Sequence, residues 1–296
     1  MTAAAVAVRL GGYTTLARAL RGHFGGRLEQ FDDAILELAP HVGSIVEVNG
    51  SLVDLTGGIQ VGAADNLLAA DGTDSGGAAA ASTIYHVYVS NAQASFRPSG
   101  LGLSATLPQL DANGFRYLNA AGNGHHWRYV GVVRTTAAVE FSDTAAARLI
   151  VNWYNRQLKH LRTVPGYVDD DAVTTYTENN AAWAAFARAG NLLEWLGNGQ
   201  DAYSLTAVGV VQSAASTGRF GLLVSGAGPV VATAVPSGVS GTYVSGYSAA
   251  AALGSYVTAE LAAFTASGNM VFVADLQRNG AAADPPATLM AGTVWA

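Results

Sequence analysis

After Pro40 the chain breaks into short runs rich in β-branched and aromatic residues, separated every few positions by glycine, and this texture leaves few folds open. SIVEVNG, SLVDLTGGIQVG, TIYHVYVSN, ASFRPSG and LGLSATLP are each of strand length, and none carries the apolar period of a helix. Asn49-Gly50 between two such runs is a two-residue hairpin signal, because both turn positions require positive φ. AADGTDSGGAAAAS is small and polar with no apolar period, and reads as a loop. Further runs follow in FRYLNAAG, WRYVGVVRTT, AVEFSD and RLIVNWYN. Residues 45 to about 160 are therefore expected to form one antiparallel β domain.

Before this texture begins, Leu16, Leu20, Phe24, Leu28, Phe31, Ile35 and Leu38 recur every three or four positions. That spacing predicts a helix over Thr14 to Ala39, weakened at Gly25-Gly26 and stopped by Pro40. Beyond the β domain, RTVPGYVDDDAV reads as a linker, and NNAAWAAFARAGNLLEWLGNG has a helical reading from Asn180 to Ala189. Strand-length runs then resume, from AYSLTAVGVVQSA to the final ATLMAGTVWA. The expected fold class is mainly β: a short N-terminal helical region (1–42), then two antiparallel β-sandwich or jelly-roll-like modules (43–163 and 164–296). VGVVRTTAAVEF and VGVVQSAASTGRF echo one another across the two modules, and each reads as a strand, a turn and a return strand.

Charge narrows the function classes. Residues 1–162 hold 12 basic and 12 acidic side chains, whereas 163–296 hold 3 and 9, so the whole net charge of −6 belongs to the C-terminal part. No arginine cluster or basic aromatic stripe offsets it, which argues against a nucleic-acid partner. From Phe220 to Ala274 the only charged residue is Glu260. Outward strand positions of a free monomer normally carry more charge, so another subunit is expected to cover part of this module. Its apolar stretches are broken by proline, glycine and serine and cannot form a membrane-spanning helix. The first residues lack the basic-then-apolar order of a signal peptide.

Familiar catalytic and ligand-binding patterns are missing from the sequence. Without cysteine there is no disulfide, thiol nucleophile or cysteine zinc site. The six histidines show no H-x-x-x-H spacing, and His125 and His126, read on a strand, would face opposite ways. No nucleophile elbow or phosphate-binding glycine loop occurs. Asp71 with Asp74, and Asp169 to Asp171, are acid-rich but lack the ligand spacing of a calcium loop. The expectation is no catalytic residue, no metal and no cofactor. Trp183, Trp195, Tyr243 and Tyr247 remain as candidate contacts to a glycan or a partner protein, since such rings stack on sugars and anchor interfaces.

One stretch has a resemblance to known proteins. Tyr129, Gly131, Arg134, Thr135 and Phe141, in YVGVVRTTAAVEF, resemble a segment of tail-fibre and other virion proteins of tailed phages. The resemblance spans about residues 80 to 156, from IYHVYVSN through SATLPQLDANGFRYL to RLIVNWYNR, and departs from the pattern at Thr136-Ala137-Ala138. ATLMAGTVWA is similar to the last strand of phage structural proteins that end near an aromatic residue. The resemblance implies a non-enzymatic virion component, a tail fibre, spike or tail adaptor involved in assembly and host attachment. It further implies a homo-oligomer, in fibres often a trimer, with other virion proteins and a host surface glycan as partners. A capsid decoration or head-fibre protein, a lectin-like glycan-binding module, and a glycan-cleaving virion enzyme using carboxylates such as Asp170 are the competing readings.

Overall fold

The computed structural model describes residues 23–91, 100–119, 122–163, 184–185, 192–213, 218–225, 228–236, 240–265, 270–272 and 289–296. The protein is mainly β, and among the described residues its sheets are antiparallel apart from one short parallel pair. It divides into two compact units: the first takes the described residues up to Asp143 together with Leu149–Gln157, the second takes Thr144–Arg148 and Leu158–Ala296. The linker expected beyond Thr163, and the ASFRPSG run except Gly100, lie outside the described residues.

The first unit contains β1 (Gly26–Asp32), β2 (Ile35–Pro40), β3 (Ile45–Val48), β4 (Ser51–Asp54), β5 (Ile59–Gly62), β6 (Ile84–Ser90), β7 (Leu101–Ser104), β8 (Gln109–Leu110), β9 (Arg116–Tyr117) and β10 (Trp127–Arg134). After β10 the strand Ala147–Arg148 (β11) belongs to the second unit, and Ile150–Asn152 (β12) returns to the first. β7, β6, β10, β9 and β8 lie side by side in that order, with β12 also on β10. β1, β2 and β5 form a three-stranded sheet, and β3 with β4 a hairpin. That hairpin turns at Asn49 and Gly50, with φ of 46° and 80°, as the Asn-Gly pair predicts.

The helix expected up to Ala39 is not formed in its described part. Residues 26–40 are the β1–β2 hairpin, with Leu28 opposite Leu38. Asp32 turns the chain by accepting the Ala34 amide at 2.7 Å, a local bond that competes with helix. Beyond the turn, Leu36 and Leu38 are buried while Glu37 between them is not, the two-residue period of a strand. Phe31, a member of the supposed helical seam, is 58% exposed. A second correction concerns AVEF: no return strand forms there. Thr136 Oγ1 accepts the Ala138 and Glu140 amides at 3.3 and 3.2 Å, Val139 adopts φ 63°, and Phe141 turns into the core.

β6 and β10 are buried on both faces, which matches their unbroken β-branched and aromatic composition. One face, with Tyr85, Val87, Val89, Val130 and Val133, joins the main core formed with Leu28, Leu36, Leu38, Val46 and Leu55. Each such side chain contributes about 1.5–3 kcal/mol on burial. Long-range polar contacts fix the register. Asn152 accepts the Leu28 amide at 2.6 Å and donates to its carbonyl at 2.9 Å. Arg128, fully buried, meets Glu47 Oε2 at 3.3 Å, donates to the Glu47 and His23 carbonyls, and is surrounded by Phe24, Phe115 and Tyr154 at 4.9–5.4 Å.

The second unit adds β13 (Leu158–Arg162), β14 (Ala184–Ala185), β15 (Leu192–Leu196), β16 (Ala202–Ser213), β17 (Gly218–Val224), β18 (Gly228–Val235), β19 (Ser240–Ala250), β20 (Tyr256–Thr265), β21 (Met270–Phe272) and β22 (Leu289–Trp295). Of the helical reading at 180–189 only Ala184 and Ala185 are described, and they are a strand paired with β20. One sheet runs β13, β22, β16, β19, with β21 also on β16; the other runs β11, β15, β20, β17, β18, with β14 on β20. Leu161, Leu205, Met290 and Val294 from the first sheet share one core with Leu193, Trp195, Phe220, Leu222 and Leu261 from the second.

Candidate interaction surface

β13 reads LKHLR, and strand alternation sends Leu161 into the core while Leu158, His160 and Arg162 stand outward. The register carries this outer face across four strands. His160, Thr293, Ser204 and Ser248 form one row, and Arg162, Ala291, Thr206 and Gly246 the next. Ser204 Oγ and Thr293 Oγ1 hydrogen-bond at 2.8 Å. Toward one end Leu158 and Trp295 are cross-strand partners, 49% and 39% exposed; toward the other, Val208 pairs with Val244, 56% exposed. The face is thus flat, built of small residues, and edged by large apolar side chains. Its described side chains include Arg162 and His160 but no carboxylate.

The opposite sheet presents another chemistry. There Leu192 and Leu223 flank Glu260 across β15, β20 and β17. Glu194 lies diagonally beside Glu260 and accepts a hydrogen bond from the Tyr256 hydroxyl. Neither Arg162 nor Glu260 has a side-chain ion pair or hydrogen bond among the described residues.

The sheet edges differ as well. β18 pairs only with β17, and β19 only with β16, among the described residues. Residues 228–250, which hold both strands, contain no charged side chain. Long uncharged edges are what natural β proteins avoid unless something covers them. β13, at the other edge of its sheet, carries Lys159, His160 and Arg162 within five residues.

The aromatic contacts expected from sequence do not converge. Trp183 lies outside the described residues, and Tyr243 is in β19 but its side chain is not described. Trp195 is no surface contact: it is fully buried, with its ring 4.8 Å from Tyr203, because β15 alternation points it inward with Leu193. Tyr247 is half-buried against the same core, 6.0 Å from Tyr203. No motif marks Leu158, Arg162 or Val244 in the sequence, and Trp295 stands out only as the aromatic residue of the last strand. The alternation in LKHLR was the available signal.

The first unit buries its polar and aromatic groups. His86, Tyr88, Tyr129 and Trp153 cluster on the second face of β6 and β10, with ring centroids 5.6–5.9 Å apart. Burial lowers the His86 pKa to about 4 and raises those of Tyr88 and Tyr129, so all three stay neutral near pH 7. His125 and His126 belong to a short 3-10 turn rather than a strand. His125 lies 3.9 Å from Asp111, while His126 faces Asn91 at 3.3 Å. Asp71 and Asp74 accept hydrogen bonds from their own loop, Asp71 from Thr73 and Asp74 from Gly76. Asp169 to Asp171 lie outside the described residues, among which no three ligand-type side chains gather for a metal ion. No described helix is long and apolar enough to cross a membrane.

The residues that carry the phage resemblance have structural surroundings. Tyr129, Gly131 and Arg134 lie in β10. A side chain at Gly131 would come within 2.2 Å of the Val151 carbonyl, so the close approach of β12 requires glycine there. Thr135 Oγ1 donates to Ala80 O at 2.6 Å and accepts the Thr83 amide at 3.0 Å. Phe141 is buried in the main core.

No protein-family model matches the chain, and no curated protein does. Solved structures that match include a glycoside hydrolase family 43 arabinoxylan arabinofuranohydrolase from Bacillus subtilis in complex with cellotetraose. That likeness has 13% identity and a TM-score of 0.17 over 91% of this chain and 53% of the other. The chain spans about half the length of that enzyme, and a superposition this poor carries no inference about fold or activity.

Proposed function

We propose that this chain is a non-enzymatic structural protein of a tailed-phage virion, a tail fibre, spike or tail adaptor, that works as a homo-oligomer in assembly and host attachment. The observation that carries the reading is the open outer face of β13, β22, β16 and β19. Leu158, Trp295 and Val244 are exposed there among small hydroxyl, alanine and glycine residues. Single exposed apolar residues are ordinary, but three set around one sheet face, which ends at the uncharged edge strand β19, fit a surface covered by another subunit. Two modules of the sandwich type suit such a role, since they present flat faces for stacking. The assignment to a virion rests on the YVGVVRT segment, and the trimer on what that resemblance implies.

Light scattering on the purified full chain at micromolar concentration tests the reading. An assembly of fixed stoichiometry, three copies for a fibre, is the expected result; a monomer over the whole concentration range would contradict it. A coding gene located among phage head or tail genes is expected too, and its position there separates a tail protein from a capsid decoration or head-fibre protein.

A further inference from the structure

The geometry points to head-to-tail self-association, in which the outer face of the β13, β22, β16, β19 sheet of one copy seats on the outer face of β15, β20 and β17 of the next. This rests on the homo-oligomer reading above and adds the surfaces that meet. On the first face, His160 and Arg162 are two residues apart along β13, about 6.6 Å at strand rise. On the second, Glu194 and Glu260 are diagonal neighbours, about 7–8 Å apart. Arg162 on the first face therefore opposes in charge the two carboxylates of the second. Beside the basic pair stand Leu158 and Trp295; beside Glu260 stand Leu192 and Leu223. Each face thus sets an apolar pair near a charged group.

Self-pairing of either face fits worse. A two-fold contact of the first face would bring basic groups together, and one of the second would bring carboxylates together, while a contact of unlike faces joins Arg162 to Glu260. Both lack an ion-pair partner among the described residues of their own chain. Arg219 lies four positions from Leu223 along β17, about 13 Å at strand rise. Contacts between unlike faces are heterologous, and they close into a ring or extend as a filament according to the rotation from copy to copy.

The test uses the full chain and three variants: Arg162→Glu, Glu260→Arg, and the two combined. Sedimentation velocity reads the association constant, and circular dichroism confirms that each variant folds. Each single reversal is expected to weaken association at least tenfold, and the double variant to return within about threefold of the parent. Added salt should weaken the parent assembly. Single variants that associate like the parent, or a double variant no better than the weaker single one, would overturn the head-to-tail contact while leaving the oligomer in place. A monomeric parent would instead overturn the assembly reading beneath it.

Discussion

The two units treat polar groups in opposite ways. Among the described residues the first buries nine polar or charged side chains, including Arg27, Glu47 and Arg128, whereas the second buries only Thr163, Asn198 and Ser245. The first unit spends hydrogen-bonding groups on its own register, joining segments as far apart in sequence as Leu28 and Asn152. The second relies on a plain apolar core and leaves apolar and charged groups outside, Leu158, Trp295 and Val244 on one sheet face and Glu260 on the other. The first unit also exposes large apolar residues, Phe31, Val42, Leu107 and Leu110, but two of these lie outside strands and the others at strand ends. Buried polar contacts tie the first unit together from within, while the second leaves apolar positions outward on regular strands.

The sharpest way to break this comparison is to remove Arg128. Arg128→Met leaves the Glu47 carboxylate buried without its cation, and the first unit is expected to lose about 3–5 kcal/mol. Urea denaturation followed by hydrogen exchange in β10 measures the loss. A change below about 1 kcal/mol would show that the buried pair contributes little.

Acid is the next lever, and its sign is fixed by His86. Burial holds the folded-state pKa near 4, below the ordinary 6.5. Above pH 6.5 both states are neutral and His86 contributes nothing to the pH dependence. Between pH 6.5 and 4 only the unfolded chain takes up the proton, so stability falls as pH falls, on the order of 3 kcal/mol in total. Asp54 and Asp71, whose pKa values are lowered first by the Thr56 and Thr73 side-chain hydrogen bonds, act at lower pH. His86→Gln should therefore remove the slope between pH 6.5 and 4 and spare the loss below it. Melting temperatures at stepped pH read both windows.

Smaller effects sharpen the contrast between units. Asn152→Ala strips the Leu28 amide and carbonyl of their partner and is expected to cost about 1–3 kcal/mol. Ser245→Ala in the second unit, whose hydroxyl reaches Phe220 O at 3.4 Å, should cost less than about 1 kcal/mol. Equal losses at the two positions, measured by urea midpoints, would erase the distinction.

Legibility in the sequence follows the range of the interaction. The Asn49-Gly50 hairpin and the Asp71 loop are local, and both were readable from a few residues. The β1–β2 hairpin was not, because Leu28, Phe31, Ile35 and Leu38 satisfy a 3.5-residue period by chance. What holds these residues as strands is pairing with β5 and the contact of Leu28 with Asn152, both distant in sequence. Arg128 in WRYVGVVR gives no sign of burial, since its partner Glu47 lies 81 residues away. The outward face of β13 was half legible: LKHLR alternates cleanly, but only the pairing with β22 shows that Leu158 meets Trp295.

On the proposed reading, association belongs to the sheet face of the second unit and not to exposed apolar residues in general. Sedimentation equilibrium of two full-length variants tests it: Leu158→Asp with Trp295→Asp, and Leu107→Asp with Leu110→Asp. Leu107→Asp and Leu110→Asp should cost little, whereas Leu158→Asp and Trp295→Asp, on cross-strand partners 49% and 39% exposed, are expected to cost about 1 kcal/mol each, so circular dichroism confirms that both variants fold. The first variant is expected to sediment as a monomer while the second keeps the parent mass. An assembly that survives the first pair and dissociates with the second would contradict the account.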